Sequence, residues 1–402
     1  MSDRRIRVAV NGYGVIGKRV ADAITLQDDM TLVGIADVGS DYRIRVAVER
    51  GYPVYASSRE ARPAMEAAGI PLAGTLDDLL GEVDVVADCT PKKIGAQNRQ
   101  KYEATGVKSI WQGGEKHEVA GFSFVAQVNY AGAIGRQSAR VVSCNTTALS
   151  RVLHALHRHG WVKRARAVLL RRSTDPWESH VNGMINTVIP ETHVPSHQGP
   201  DAQTVIPDLD ITTIAGAGPY NLSHIHFAMV ETTRPVSLDE LRDALWDAPR
   251  IAFVRAGDGL VALNSVIEMM RDLDRPRGDM WEVAVWEDAL ATDGREVYLT
   301  FQVHNESIVV PETIDCIRAL TGIERDPVAS IRKTDAALGI TKSFLSRTSR
   351  PIQHVASADV NHPEIEFVRV GRSDFRELSF KGSEEPTDSD RPPRVQSEKA
   401  NA

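Results

Sequence analysis

Cysteine is scarce: the 402 residues hold three, at Cys89, Cys144 and Cys316, too few and too scattered for a disulfide framework. No CxxC pair and no His/Cys cluster has metal-ligand spacing, so no metal site is expected. No apolar run approaches the ~20 residues of a membrane span. The chain opens as MSDRRIRVAVNG and enters a β-rich run without a signal-peptide pattern. Basic charge is not in excess either. Lys plus Arg number 47 against 54 Asp plus Glu, a net charge of −7, which argues against a general nucleic-acid binder. These absences point to a reducing cytoplasm and to no nucleic-acid or membrane partner. Hydrophobic content of 42% and charged content of 25% are ordinary for a globular protein, and the length suggests two domains.

The first half reads as a dinucleotide site. Ile6 to Val10 is a β-rich run, and Gly12, Gly14 and Gly17 follow it in a GxGxxG pattern that opens an apolar helix through Val20, Ala21 and Ile24. A second strand, Thr31 to Ala36, ends in Asp37, 20 residues beyond Gly17, at the spacing for a ribose 2′-hydroxyl. Gly12 and Gly14 let the backbone approach a pyrophosphate, and the N–H groups of Val15 and Ile16 face it at the helix start. The Asp37 carboxylate repels a 2′-phosphate, so NAD is expected over NADP, although Arg43 and Arg45 lie close in sequence. Further βα alternation is expected as helices over 58–68, 75–80 and 96–102 and strands over 83–87 and 107–111. Cys89 reads as packing.

The stretch VVSCNTTAL at 141–149 places Cys144 where a strand turns into a helix N-terminus. The free N–H groups and positive end of such a helix favour a thiolate and can hold an oxyanion. The alternative is a small buried hydrophobe. Beyond it the pattern changes to longer strands. One spans 165–170 and ends in Arg171 and Arg172, an anion or cofactor site or else a solvated edge. An irregular passage from Trp177 to Asp208 contains Pro195-Ser196-His197-Gln198-Gly199-Pro200 and is long enough to be a functional loop. In the strand Ser223 to Val230, alternation puts His224 and His226 on one face, candidates for a general base. A helix over 238–246, strands over 281–286 and 297–304, and helices over 314–320 and 326–340 follow. The last ~25 residues are expected to be disordered on composition, and a β-like run is expected over Glu366 to Val370.

The fold class expected is α/β: a Rossmann-type doubly wound parallel sheet plus an α+β catalytic domain with a mainly antiparallel sheet. The expected division is 1–142 (dinucleotide-binding), 143–305 (catalytic), 306–340 (helices returning to the first domain) and 341–402 (an extension).

With these residues in place, the chain resembles the archaeal-type (class II) phosphorylating glyceraldehyde-3-phosphate dehydrogenases over roughly residues 4–340. The likeness rests on NGYGVIGKRVADAI, QDDM at 27–30, PKKIG at 91–95, QGGEKHE at 112–118, VVSCNTTAL, the arginines at 171–172, VPSHQGPD, the His224/His226 strand and HNESIVVPETIDCIRAL. The resemblance implies that Cys144 adds to the aldehyde as a hemithioacetal, that hydride passes to the nicotinamide, and that inorganic phosphate cleaves the resulting thioester. It implies His224 as the base, in preference to His226. Ser143, Asn145, His197 and Gln198 match substrate-contacting positions, with Arg171 a second anion ligand. Val15, Ile16, Gly114, Arg172 and Asn305 match NAD(P)-contacting positions. It also implies a homotetramer. The chain departs from the family at Gln198, at Asn305, at Asp37-Val38-Gly39 and through Ala215–Asn221. The same chemistry on another small phosphorylated or phosphonate aldehyde is therefore a second reading. A non-catalytic NAD-binding regulatory protein is a third.

Overall fold

The structure, a computed structural model, describes residues 5–112, 114–173 and 188–345. Residues 177–187 of the irregular passage, the Glu366–Val370 run and the polar C-terminal residues lie outside these. Among the described residues, β1 (Ile6–Asn11), β2 (Met30–Asp37), β3 (Val54–Ala56), β4 (Leu72–Thr75), β5 (Val85–Asp88), β6 (Lys108–Trp111), β7 (Ser123–Phe124) and β8 (Ser138–Val141) form one sheet. Every pairing in it is parallel, in the order β4-β3-β2-β1-β5-β6-β8-β7. Strands such as β5 are buried along their whole length, so helices must cover both faces of the sheet. The chain steps outward from β1 to β4, then returns to lay β5 along the other side of β1. The carboxyl ends of β1 and β5 thus part at a switch point, where doubly wound sheets open a crevice.

Two glycines make that crossing possible. Gly12 has φ of +91°, and a Cβ there would lie 2.8 Å from the backbone of Cys89 and Thr90, so the turn after β1 rests on the turn after β5. A Cβ on Gly17 would lie 1.8 Å from the Gly12 carbonyl oxygen, so the Val15–Thr25 helix packs directly on its own entry turn.

The second sheet contains β9 (Val162–Arg172), β10 (Ile189–Pro190), β11 (Ile211–Gly218), β12 (His224–Thr232), β13 (Ile251–Val254), β14 (Val283–Trp286), β15 (Ala291–Asp293) and β16 (Glu296–Val303). Its order is β10-β11-β9-β12-β16-β14-β13, with β15 on β16. The pairings are mainly antiparallel; β11 with β9 and β13 with β14 are parallel. The Cys144–His157 helix packs between this sheet and the rest, burying Leu149, Val152, Leu153 and Leu156. The Val309–Thr321 helix, buried from Val309 to Leu320, runs back against the Val15–Thr25 helix of the first sheet. Glu312 on it lies beneath both sheets, accepting from Arg151, Arg250 and the Ala126 N–H. No helix among the described residues is long and apolar enough to cross a membrane.

Several elements differ from expectation. The helix expected over 58–68 is confined to Arg62–Ala67, because Pro63 fits only the first turn. The strand expected over 165–170 runs on to Arg172, so Arg171 and Arg172 belong to β9 instead of following it. The Leu263–Asp272 helix was not expected; it buries Val266, Ile267, Met269 and Met270 at helical spacing.

Candidate active site

At the switch point, the Asp37 carboxylate accepts from three backbone N–H groups: Tyr13 at 2.6 Å, Val38 at 2.8 Å and Gly39 at 2.7 Å. Its position is therefore fixed by the Gly-rich turn, through Tyr13, and by the turn that follows β2. Arg43 is tied to Asp41, with Nη2 to Oδ2 at 2.6 Å. A Cβ built on Gly14 meets nothing within 4 Å, which leaves the backbone open to a bulky group at the helix start, where Val15 and Ile16 are half-buried. Gly114 is exposed across the crevice beside Lys92. Asn305 presents a buried amide oxygen with no hydrogen-bond partner. The open glycine, the anchored carboxylate and the unpartnered amide oxygen fit a dinucleotide. No cluster of His, Cys, Asp and Glu among the described residues could hold a metal ion.

Cys144 is the first residue of its helix. Ser143 caps it, accepting from the Thr146 N–H at 3.3 Å. Burial pushes the Cys144 thiol up to about 11, against the opposing pull of Arg172, of the Asn145 and Cys144 N–H groups and of Arg171. The helix end and the arginines favour the anion, as expected from the sequence, and desolvation opposes them at this half-buried residue. The Cys89 and Cys316 thiols are likewise pushed up, by burial and then by neighbouring carboxylates, in keeping with packing roles.

Both histidines of β12 are buried. His226 meets the Asn145 side-chain oxygen through Nε2 at 2.8 Å and packs edge-on to Phe301. It positions the second residue of the cysteine helix. His224 accepts at Nδ1 from the Arg172 backbone N–H at 2.9 Å. Burial, then His226, Arg172, Arg171 and His304, hold its pKa well below the ordinary value. A neutral imidazole that accepts at Nδ1 carries its proton on Nε2. With Nδ1 accepting from Arg172, His224 is set to donate from Nε2 in this state, and acting as a base at Nε2 requires the other tautomer.

The remaining candidates gather at the ends of β9 and β10. Arg171 Nη2 donates to Glu191, and His197, largely exposed, lies with Nδ1 3.8 Å from the other Glu191 oxygen. Gln198 is fully buried, and neither its amide nitrogen nor its amide oxygen has a partner. The segment is pinned by Thr213, which receives Ser196 Oγ at 2.8 Å and the Gly199 N–H at 2.9 Å. Asp201 joins it to the cysteine helix, accepting from Thr146 Oγ1 at 2.7 Å and from Arg140. Arg172 reaches Glu306 at 3.9 Å, and Glu306 also accepts from Arg19 of the Val15–Thr25 helix at 2.9 Å. Glu191, Glu306, Arg19 and Asp201 were not singled out from sequence. Their partners stand far away along the chain, and no local spacing marks them.

Residues 143–288 match the family profile described as the C-terminal domain of glyceraldehyde 3-phosphate dehydrogenase. The chain is 45% identical over 339 residues to glyceraldehyde-3-phosphate dehydrogenase 1 of Methanosarcina barkeri, covering 84% of this chain and 99% of that one. It is 47% identical over 335 residues to the glyceraldehyde-3-phosphate dehydrogenase of Methanobacterium bryantii (83% and 99%). For that of Archaeoglobus fulgidus the identity is 45% over 342 residues (85% and 99%). Among solved structures, aspartate semialdehyde dehydrogenase II from Vibrio cholerae shares the fold, with a TM-score of 0.59 and 12% identity over 79% of this chain and 98% of that one. The chain therefore belongs to the archaeal-type glyceraldehyde-3-phosphate dehydrogenase family.

Proposed function

We propose that the protein is an NAD-dependent phosphorylating dehydrogenase of glyceraldehyde 3-phosphate, acting through a thioester on Cys144. One observation carries this: a cysteine at a helix start under the pull of Arg172, whose own backbone N–H sets the tautomer of His224. Cys144 first loses its proton to solvent. The thiolate attacks the aldehyde carbon, a C–S bond forms, and the carbonyl electron pair becomes an alkoxide. The donors at hand for that alkoxide are the Asn145 N–H at the helix end and Nε2–H of His224. Bound NAD supplies the hydride acceptor. As hydride departs, the alkoxide re-forms the carbonyl, leaving a thioester on Cys144. A phosphate oxygen then adds to that carbonyl, the C–S bond breaks, and the thiolate is released with an acyl phosphate. Sulfur suits both ends of this sequence, as nucleophile and as leaving group.

Gly12, Gly14, Val15, Ile16 and Gly17 would hold the pyrophosphate of NAD, Asp37 would take its ribose hydroxyls, and Gly114, Arg172 and Asn305 would be further contacts to it. Ser143, Asn145, His197, Gln198 and Arg171 serve the aldehyde and its phosphate. The division into a 1–142 cofactor domain, a 143–305 catalytic domain, returning helices over 306–340 and a 341–402 extension goes with this assignment. A homo-oligomer is supported by an apolar row on the outer face of the second sheet. Ile214 lies opposite Val168 and Val168 opposite Phe227, each 38–49% exposed. Steady-state assays with NAD, phosphate and a panel of phosphorylated aldehydes test the function. Acyl phosphate forming with glyceraldehyde 3-phosphate at the highest kcat/KM supports it; NAD binding without turnover on any aldehyde refutes it.

A further inference from the structure

Glu191 stands among the residues assigned to the substrate, yet its charge has the wrong sign for a phosphate site. Its carboxylate is mostly buried, with a side-chain exposure of 16%. One oxygen is held by Arg171 Nη2. The other is buried without a hydrogen-bond partner and faces His197 Nδ1 at 3.8 Å, too long for a hydrogen bond. The carboxylate therefore lies between the two groups proposed to receive the substrate's anion, and occupies them as an anion itself would. The backbone holds it there: the Glu191 N–H donates to the Ala215 carbonyl at 2.9 Å, continuing the β10–β11 pairing.

We propose that Glu191 is a built-in counter-anion at the substrate site, filling the Arg171–His197 seat at rest and setting how tightly an incoming phosphate group binds. This rests on the dehydrogenase function proposed for the site. A phosphate brings more charge and more acceptor oxygens than a carboxylate, so it can take Arg171 from Glu191, but only by displacing it or lying beside a like charge. The cost falls on binding. The chemistry at Cys144 is left alone. An ordinary structural pair between Arg171 and Glu191 predicts something else, a loss of stability on substitution with no change in ligand affinity.

Glu191→Gln keeps the shape and removes the charge. Isothermal titration of the full chain with inorganic phosphate is the first readout, since it needs no turnover. Phosphate should bind the variant about tenfold more tightly than the native protein, the scale of one removed like-charge contact. In assays with glyceraldehyde 3-phosphate the change should fall on KM, lowered several-fold, and not on kcat; with glyceraldehyde, which lacks the phosphate, KM should stay put. Glu191→Asp, which keeps the charge, should bind phosphate less tightly than the glutamine variant, and Glu191→Ala, also charge-free, stands in where the glutamine variant does not fold. Unchanged or weaker phosphate binding in a folded charge-free variant overturns the proposal. So does an equal KM change for both aldehydes. Absence of turnover in the native protein instead counts against the dehydrogenase function, with the titration still deciding the role of Glu191.

Discussion

Desolvation and the pull of Arg172 act on the Cys144 thiol in opposite senses, and its ionisation is the residue-level event that the proposed chemistry needs. With the pKa near 11, the thiolate fraction grows about tenfold per pH unit through the neutral and mildly alkaline range. Alkylation of Cys144 by iodoacetamide should follow that slope from pH 7 to 10, whereas an ordinary thiol levels off near pH 9; an early plateau contradicts the buried-thiol account. His224 offers a second test. If it serves as an Nε2–H donor, His224→Ala should lower kcat by roughly 10²–10³-fold, the scale for losing an oxyanion donor. His224→Gln, which can still present an N–H, should retain clearly more activity than the alanine variant. At the other end of the site, Asp37→Ser should raise the NADP-to-NAD ratio of kcat/KM by about tenfold or more, because one carboxylate no longer faces the 2′-phosphate. An unchanged ratio would place cofactor choice elsewhere.

At the scale of elements, the features carried by short-range patterns were legible and those carried by distant partners were not. GxGxxG was readable because its three glycines answer to local geometry: the Gly12 turn and the Gly17 contact with the Gly12 carbonyl. Gly17→Ala forces a methyl into that 1.8 Å gap and should cost about 1–3 kcal/mol, or the helix–turn packing altogether, read as a lower urea midpoint with NAD affinity falling alongside. Likewise the Cys144 helix start and the His224/His226 face followed from a strand-to-helix change and from period-two alternation. The electrostatics did not. Helix ends and arginines can be counted in a sequence, but the desolvation that opposes them at Cys144 comes from tertiary packing. Nor could the Arg171–Glu191 and Arg19–Glu306 contacts be seen, since they join residues 20 and 287 positions apart. The tautomer of His224 depends on a backbone N–H from a neighbouring strand, 52 positions away.

For the whole molecule, the buried charges around the Val309–Thr321 helix join the two sheets. Glu312 receives Arg151 at 2.6 Å, Arg250 at 3.2 Å and the Ala126 N–H at 2.6 Å, all out of water. Arg250 also pairs with Asp335 and Asp315. Removing one partner strands the others, so Glu312→Gln should destabilise by about 3–5 kcal/mol in denaturant unfolding. A loss below 1 kcal/mol would mean that this cluster is not what joins the layers. On the outer face of the second sheet, Phe227→Lys should dissociate a homo-oligomer built there, seen as a lower mass in light scattering with circular dichroism unchanged.

The central claim is the covalent acyl group on Cys144, and intact-protein mass spectrometry of acid-quenched reactions tests it most directly. With NAD and glyceraldehyde 3-phosphate but no inorganic phosphate, the native chain should gain the mass of one phosphoglyceroyl group, mapped to Cys144 and removed within one turnover when phosphate is added. Cys144→Ser should gain none. Turnover by the native chain with no such adduct under phosphate-free conditions, or NADH formation by Cys144→Ser at the native rate, would contradict the account.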